Sequence, residues 1–275
     1  MILKPRPFRK LRKKHWSTTG LVGFWLFNEG SGGQVNDLSG NGYEGTITDG
    51  VWQGGKFGST ILFNDASTVI NFGDVLDIGT SDFSYGIWFQ ANWSAANETH
   101  SLIAKSIANP AVGRYFIIIE NGNIFTLLQT SGGNKTISTS ETPYLDGKWH
   151  HAFVAIRRSG NMAFYIDSIS IGTVDVSDGS ANDYNTAYPL GLGAYQNGTD
   201  GLTFDRLWFD GLLDVPSIYN RALSASEIAQ LYLKPFCMFE RDPIELWSAA
   251  TIGGEPPVGA AGIMTPWGGY WGPTY

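Results

Sequence analysis

The sequence is short of cysteine, of charge and of long apolar segments. Cys237 is the one cysteine in 275 residues, so no disulfide can form within the chain. Only 16% of the residues are charged, and no apolar run has the length of a membrane-spanning helix. The basic start of the chain is not followed by the apolar stretch of a secretory signal. We therefore expect a fold held by side-chain packing, in a protein made in the cytoplasm without a membrane span.

The residues that are abundant indicate an all-β protein. Aromatic residues make up 14% of the chain and thirty-five residues are glycine, a composition typical of short strands and tight turns. Short apolar runs alternate with clusters of Gly, Asn, Asp and Ser, as in a β-sandwich. Within one such run, the period-2 rule places four apolar side chains on one face: Phe83, Tyr85, Ile87 and Phe89. Hairpin turns between antiparallel strands are expected at 120–123 and 158–161.

A single short helix is predicted late in the chain. Ser224 and Glu227 form a capping-box pattern. Ile228, Leu231 and Tyr232 follow at helical spacing. We expect about two turns of helix there.

Composition divides the chain into a basic arm at residues 1–19, a strand-rich body at 20–232 and a Gly/Pro/aromatic tail at 233–275. The arm holds seven of the eighteen basic residues and no acidic one, so it is either a solvated extension or a contact for nucleic acid, an anionic membrane or an acidic partner protein. Nucleic acid is considered as a partner only through this arm. We expect the body to fold alone, and the charged and aromatic residues of the two tails to serve assembly: Lys4, Arg6, Arg9, Lys10, Arg12, Lys13, Lys14, Trp247, Trp267, Tyr270, Trp271 and Tyr275.

Five sequence blocks, in order, resemble a known family. The last two read Asp146-Gly-Lys-Trp-His-His-Ala and Tyr219-Asn-Arg-Ala-Leu-Ser-Ala-Ser-Glu-Ile. Together the blocks resemble the laminin-G-like jelly rolls, of concanavalin A-like type, found in bacterial and phage proteins. The resemblance implies a two-sheet antiparallel jelly roll, in a family whose members are mostly binding or adhesive modules. The blocks lie at residues 20–32, 37–46, 55–58, 146–152 and 219–228.

The sequence departs from the family pattern in two places. The usual Tyr-Val-Asp-Gly turn is Tyr165-Ile-Asp-Ser, and the usual Ile-Asp-Glu-Val is Leu213-Asp-Val-Pro. Proline cannot donate to a strand ladder, so Pro216 predicts an edge or a bulge in a late strand.

Calcium is the one cofactor considered. The turn that begins at Asp37 and includes Asn41 places carboxylate, amide and carbonyl oxygens close together, and Ca²⁺ prefers such ligands. Asp214 is expected to close the site from a late strand, because the resemblance implies a structural calcium tied to these two blocks. The alternative is that Asp37 and Asn41 only make side-chain turns.

Glycan binding is expected to use exposed aromatic rings in loops, with nearby amides and carboxylates. The candidates for such a platform are Trp93, Tyr184, Tyr188 and Tyr195. The alternative is that each ring only packs against its neighbours.

The sequence gives little support for a catalytic function. The glucanase strand motif Glu-x-Asp-x-x-Glu is absent, and Asp74, Asp77 and Asp82 lie in a turn-rich stretch where solvated carboxylates are ordinary. His150 and His151 point to opposite faces of one strand, so they cannot bind one ion together and are interpreted as packing and hydrogen-bonding residues. We predict a non-enzymatic protein.

Three functions fit these observations. The leading hypothesis is a virion surface structural protein, either a capsid decoration or a tail or fibre component, because a lone jelly roll with such tails resembles tailed-phage structural proteins. Its partners are then other virion proteins or copies of itself. The second hypothesis is a glycan-binding adhesin that recognises polysaccharide, and the third is an accessory carbohydrate-binding domain of an enzyme.

Overall fold

The computed structural model describes residues 2–5, 10–64, 66–92, 98–106, 113–140, 144–196 and 204–240. These residues form a sandwich of two eight-stranded sheets, with a two-stranded ribbon and one α-helix. Neighbouring strands in both sheets pair antiparallel. The predicted jelly-roll fold is thereby confirmed.

The first sheet has eight strands. Strand β1 (Leu21–Phe24) pairs with β18 (Asp210–Tyr219) and lies off the main strand order. The other strands follow in spatial order: β14 (Ile169–Asp175), β13 (Asn161–Ile166), β12 (Trp149–Ile156), β7 (Phe83–Gln90), β18 (Asp210–Tyr219), β5 (Ser59–Asn64) and β4 (Val51–Gly54).

The second sheet packs on the first. Its strands follow in spatial order: β11 (Gly133–Ser138), β10 (Asn123–Thr130), β9 (Tyr115–Glu120), β8 (Thr99–Lys105), β15 (Leu190–Leu192), β6 (Val69–Asn71), β3 (Gly45–Thr48) and β2 (Gln34–Val35). The separate ribbon joins β16 (Tyr195–Gln196) to β17 (Phe204–Arg206).

The main core lies between the sheets and follows the predicted alternation. Phe83, Tyr85, Ile87 and Phe89 all enter one buried cluster together with apolar residues of the second sheet. Trp88, which points the other way, joins a second cluster on the outer face of the first sheet. Both faces of β7 are therefore covered, which explains why seven of its eight residues are buried.

The helix α1 (Ala225–Leu233) covers that outer face. Its capping box is formed as predicted, because Ser224 accepts from the Glu227 backbone and the Glu227 carboxylate accepts from the Ser224 backbone. Ile228 and Leu231 are buried against the sheet. The two predicted hairpins also form, since β9 pairs with β10 and β12 with β13 across the expected turns. Pro216 lies where the β18–β7 register shifts, which confirms the predicted bulge.

The basic arm pairs with other parts of the chain. Leu11 pairs with Phe239 as an antiparallel bridge, and Tyr219 donates a hydrogen bond to the Ser17 carbonyl. The described residues, through Glu240, belong to one compact unit. Backbone pairing thus joins the arm to the segment that follows the helix, and the boundaries expected at 20 and 232 stay a prediction. Lys10, Lys13 and Lys14 are exposed and Arg12 is half-buried. The other predicted assembly residues except Lys4 lie outside the described residues: Arg6, Arg9, Trp247, Trp267, Tyr270, Trp271 and Tyr275.

Candidate functional site

A cavity of about 340 Å³ opens beside the loop that joins β6 to β7. Its wall combines an aromatic ring, two carboxylates, a hydroxyl and an amide with four aliphatic side chains. We call it the rim cavity. Its lining residues are Val22, Tyr43, Asp74, Val75, Leu76, Asp77, Ile78, Ser81 and Asn220.

A buried lysine fixes the two carboxylates. The Lys105 Nζ atom lies 3.0 Å from Asp74 Oδ1 and 3.1 Å from Asp77 Oδ1, and it donates to the Val75 carbonyl at 2.7 Å. The lysine side chain is fully buried, whereas those of Asp74 and Asp77 are 48% and 40% exposed. The ammonium therefore holds the inner oxygens while both carboxylates remain within reach of a ligand.

The loop that carries these carboxylates is tied down. The Thr186 N–H donates to Asp77 Oδ1 at 3.1 Å, and the Leu190 N–H donates to the Gly73 carbonyl at 3.0 Å. Leu76 holds a left-handed backbone conformation, with φ of 59°. Such strain in a non-glycine residue persists only where surrounding contacts enforce it, and it is frequent at binding sites.

The predicted calcium turn borders the rim cavity through Tyr43. Asp37 accepts four hydrogen bonds, from the backbones of Phe24, Ser39 and Tyr43 and from the Ser39 hydroxyl. The side-chain amide of Asn41 donates to the Val22 carbonyl. The turn therefore positions Val22 and Tyr43, two residues that line the cavity.

The residues present do not fit the calcium ion implied by the resemblance. The Asp37 oxygens are occupied by turn donors, and Asp214 Oδ1 lies 2.6 Å from Lys4 Nζ. Burial raises the pKa of Asp214 to about 7, against the opposing effect of the Lys4 ammonium. Among the described residues no group of three or more His, Cys, Asp or Glu is placed to hold a metal. Lys4, predicted as an assembly residue, is a buried ion-pair partner of Asp214.

The expected aromatic platform is not formed. Tyr184 is fully buried, and its hydroxyl donates to the Gln129 carbonyl. Tyr195 is 6% exposed and packs on Phe116. Neither ring can offer a face to a sugar, so the prediction is wrong for both. Tyr188 is half-buried and lies outside the rim cavity, and Trp93 lies outside the described residues.

A second cavity, of about 270 Å³, lies near the end of β7. Its polar lining includes Gln90, Asn92 and Asp210. It is lined by no aromatic ring among the described residues. The rim cavity therefore combines more of the groups that recognise sugars.

The adjacent histidines have the structural roles predicted for them. His150 lies between two carboxylates, 2.6 Å from Asp167 Oδ2 and 3.1 Å from Asp146 Oδ1. Burial alone would lower the pKa of His150, but its hydrogen bonds to Asp167 and Asp146 outweigh burial and raise it. His151 points to the opposite face and stacks on Trp88.

The sequence did not single out Tyr43, Asn220 or Lys105. Tyr43 and Asn220 lie within the family blocks, where their spacing carried no chemical signal. For Lys105 the sequence does contain a signal, because a lysine at the end of an apolar strand must find acceptors when it is buried.

A family model described as the concanavalin A-like lectin/glucanases superfamily, Laminin_G_3, matches residues 64–229, more than half of the chain. The chain belongs to this family. The matched residues include Asn220 and the loop that carries Asp74 and Asp77, whereas Tyr43 lies before them. No curated protein matches the laminin-G-like chain by sequence.

Solved structures share the fold of this laminin-G-like protein at low identity. The binding domain of Paraclostridial Mosquitocidal Protein 1 matches with a TM-score of 0.63 and 19% identity, over 79% of this chain and 53% of that one. The receptor binding domain of botulinum neurotoxin D matches with a TM-score of 0.59 and 14% identity, over 80% and 54%. The chain thus spans about half the length of these domains.

The one α-helix of the described residues is too short and too polar to cross a membrane.

Proposed function

We propose that this protein is a non-enzymatic, lectin-like module that binds glycans in the rim cavity. The observation that carries the proposal is the wall shared by Tyr43, Asp74, Asp77 and Asn220. An aromatic ring packs on the apolar face of a sugar, and carboxylate and amide groups bind its hydroxyls. Lys105 holds the carboxylates in place before a ligand arrives, which lowers the entropy cost of binding.

The charge of the cavity selects the class of glycan. Asp74 and Asp77 line it, whereas no lysine or arginine does so among the described residues. The Lys105 ammonium is buried and turned to the protein. We therefore propose neutral or amino-sugar ligands and exclusion of acidic sugars. The ligand binding domain of botulinum neurotoxin D, which shares the fold with a TM-score of 0.58 and 16% identity, was solved in complex with N-acetylneuraminic acid. This complex supports glycan binding by the fold, although that sugar is acidic and the sugars proposed here are not.

Hydrolysis is not proposed for the same carboxylates. A glycosidase needs one carboxyl group to donate a proton to the leaving group. Here the inner oxygens of Asp74 and Asp77 both contact one ammonium. Asp82 accepts from the Arg158 backbone and does not line the rim cavity. The arrangement suits binding better than proton transfer.

A glycan array tests the proposal, followed by calorimetry on each sugar that binds. We expect binding of neutral or amino-sugar oligosaccharides by the full chain, with at least a tenfold weaker affinity in the Tyr43→Ala and Asp77→Asn variants. Asp210→Asn in the second cavity is the matched control and should bind like the wild type. Loss of binding in Asp210→Asn alone would place the site in the second cavity, and an array without any bound glycan would refute the function.

We further propose display on a virion surface, as a capsid decoration or a tail or fibre component. The exposed basic residues Lys10, Lys13 and Lys14 and the aromatic composition of 241–275 support attachment to other virion proteins. Mass spectrometry of purified particles from the source tests this. The chain should be present at a fixed copy number, and its absence from particles would leave a glycan-binding adhesin instead.

A further inference from the structure

The N-terminal segment 2–5 enters the sandwich through one side chain. The Lys4 N–H donates to the Phe57 carbonyl at 2.9 Å, which lays the segment along the domain. The Lys4 ammonium then reaches Asp214 Oδ1 at 2.6 Å and the Phe27 carbonyl at 3.1 Å, and it also donates to the Ser59 carbonyl. The side chains of Lys4 and Asp214 are 5% and 0% exposed.

The three oxygens around Lys4 come from separate parts of the fold. Asp214 lies in β18, Ser59 begins β5, and Phe27 follows β1. All three groups accept hydrogen bonds, and a primary ammonium has three N–H donors. One lysine therefore satisfies three acceptors that no other described donor reaches together.

The backbone is strained on two sides of this site. Phe27 has φ of 52°, and Val215, directly after Asp214, has φ of 47°. A left-handed β-branched residue is an outlier that surrounding contacts must enforce. The β18–β7 register also shifts after Asp214. In addition, Asp214 Oδ2 is buried without a hydrogen-bond partner. The fold thus gathers oxygen acceptors in its interior around a positive charge.

We propose that the pocket around Asp214 is a cation site which the chain fills with its own Lys4. The N-terminal segment then replaces the calcium ion that the family resemblance implies, and it acts as a tethered cation that joins β1, β5 and β18. Ca²⁺ prefers about 6–8 oxygen ligands. An ammonium needs only the three oxygen acceptors described here. The domain is therefore independent of calcium and dependent on Lys4.

Thermal unfolding of the full chain tests this dependence. Lys4→Met keeps the length of the side chain but leaves Asp214 buried without its partner. We expect the Tm to fall by about 10 °C. Lys10→Met removes the same charge from an exposed position of the arm and should change the Tm by less than about 2 °C. Neither calcium nor a chelator should change the Tm of the wild type.

Chemical rescue and a second-site change test the nature of the site. Methylammonium should restore part of the Tm lost in Lys4→Ala, whereas tetramethylammonium, which has no N–H donor, should not. In the Asp214→Asn background, Lys4→Met should lower the Tm much less than it does in the wild type. The proposal is wrong if Lys4→Met has the same Tm as the wild type, or if calcium raises the wild-type Tm. It is also wrong if methylammonium and tetramethylammonium restore the Tm of Lys4→Ala equally or not at all.

Discussion

The indole of Trp88 and the imidazole of His151 stack with ring centroids 4.9 Å apart and an interplanar angle of 28°. Tyr232 from the helix stacks on the same indole at 5.4 Å. His151 is thus enclosed between the first sheet and α1. Burial lowers the pKa of His151 to about 3, with the charge of Asp167 opposing the shift and that of Lys56 adding to it.

This buried imidazole predicts a loss of stability in acid. The unfolded chain takes up a proton near pH 6.5, whereas the folded chain takes it up only near pH 3. The contribution of His151 to stability is therefore complete above pH 6.5 and falls as the pH is lowered towards 3, by up to about 1.4 kcal/mol per pH unit, whereas the raised pKa of Asp214 changes stability in the opposite direction over this range. His151→Gln should lower stability at pH 7, and the difference in unfolding free energy between the wild type and this variant, measured in urea from pH 7.5 to 3.5, should shrink as the pH is lowered. A difference that stays constant over this range would assign acid sensitivity to other groups.

Local pattern and long-range contact explain what the sequence could and could not predict. Alternation in β7 correctly separated Tyr85, which enters the main core, from Trp88, which faces the helix. The pairing of Lys4 with Asp214 joins positions 210 residues apart, and no local pattern records it. The burial of Tyr184 likewise depends on a contact that is distant in sequence. Its loop position suggested exposure, but the Arg158 guanidinium lies 4.1 Å from its ring centroid and helps to enclose it.

The centre of the first sheet should tolerate no side chain at Gly86. A Cβ atom there would lie 2.1 Å from Phe153 Cδ2 and 2.6 Å from the Ala152 carbonyl oxygen. Since backbone cannot move aside cheaply, Gly86→Ala should lower the free energy of unfolding by about 3 kcal/mol. Gly54→Ala in strand β4, where a Cβ meets nothing within 4 Å, is the matched control and should change it by less than about 1 kcal/mol. Equal urea midpoints for the two variants would contradict the close pairing of β7 with β12 at Gly86.

The Asp37 turn should stabilise the domain without calcium. Asp37→Ala removes an acceptor of four hydrogen bonds and should cost about 2 kcal/mol of unfolding free energy. Urea unfolding should show the same loss in calcium and in chelator. Glu44→Ala, at an exposed position after the turn, is the control. A loss seen only in calcium would restore the metal interpretation.

Lys105 should separate ligand affinity from stability. Lys105→Met replaces a buried charge by an apolar side chain of similar length. Because Asp74 and Asp77 are 48% and 40% exposed, water can hydrate them once the ammonium is gone, so stability should fall less than in Lys4→Met. The partly exposed Asp74 and Asp77 lose their anchor, so glycan affinity should fall about tenfold, or about 1.4 kcal/mol. Lys135→Met, which breaks a pair with Asp178 away from the rim cavity, should bind normally in calorimetry. Equal affinities in the two variants would mean that Lys105 does not position the site.

The most direct test locates a bound sugar on the protein. Amide chemical shifts of the ¹⁵N-labelled full chain, titrated with an oligosaccharide that binds on the array, should change at Tyr43, Asn220 and residues 74–78. Shifts around Asp210 should stay constant, and sialylated sugars should produce no change at all. Saturable shifts confined to another surface, or in the rim cavity with acidic sugars alone, would contradict the proposed site or its ligand class.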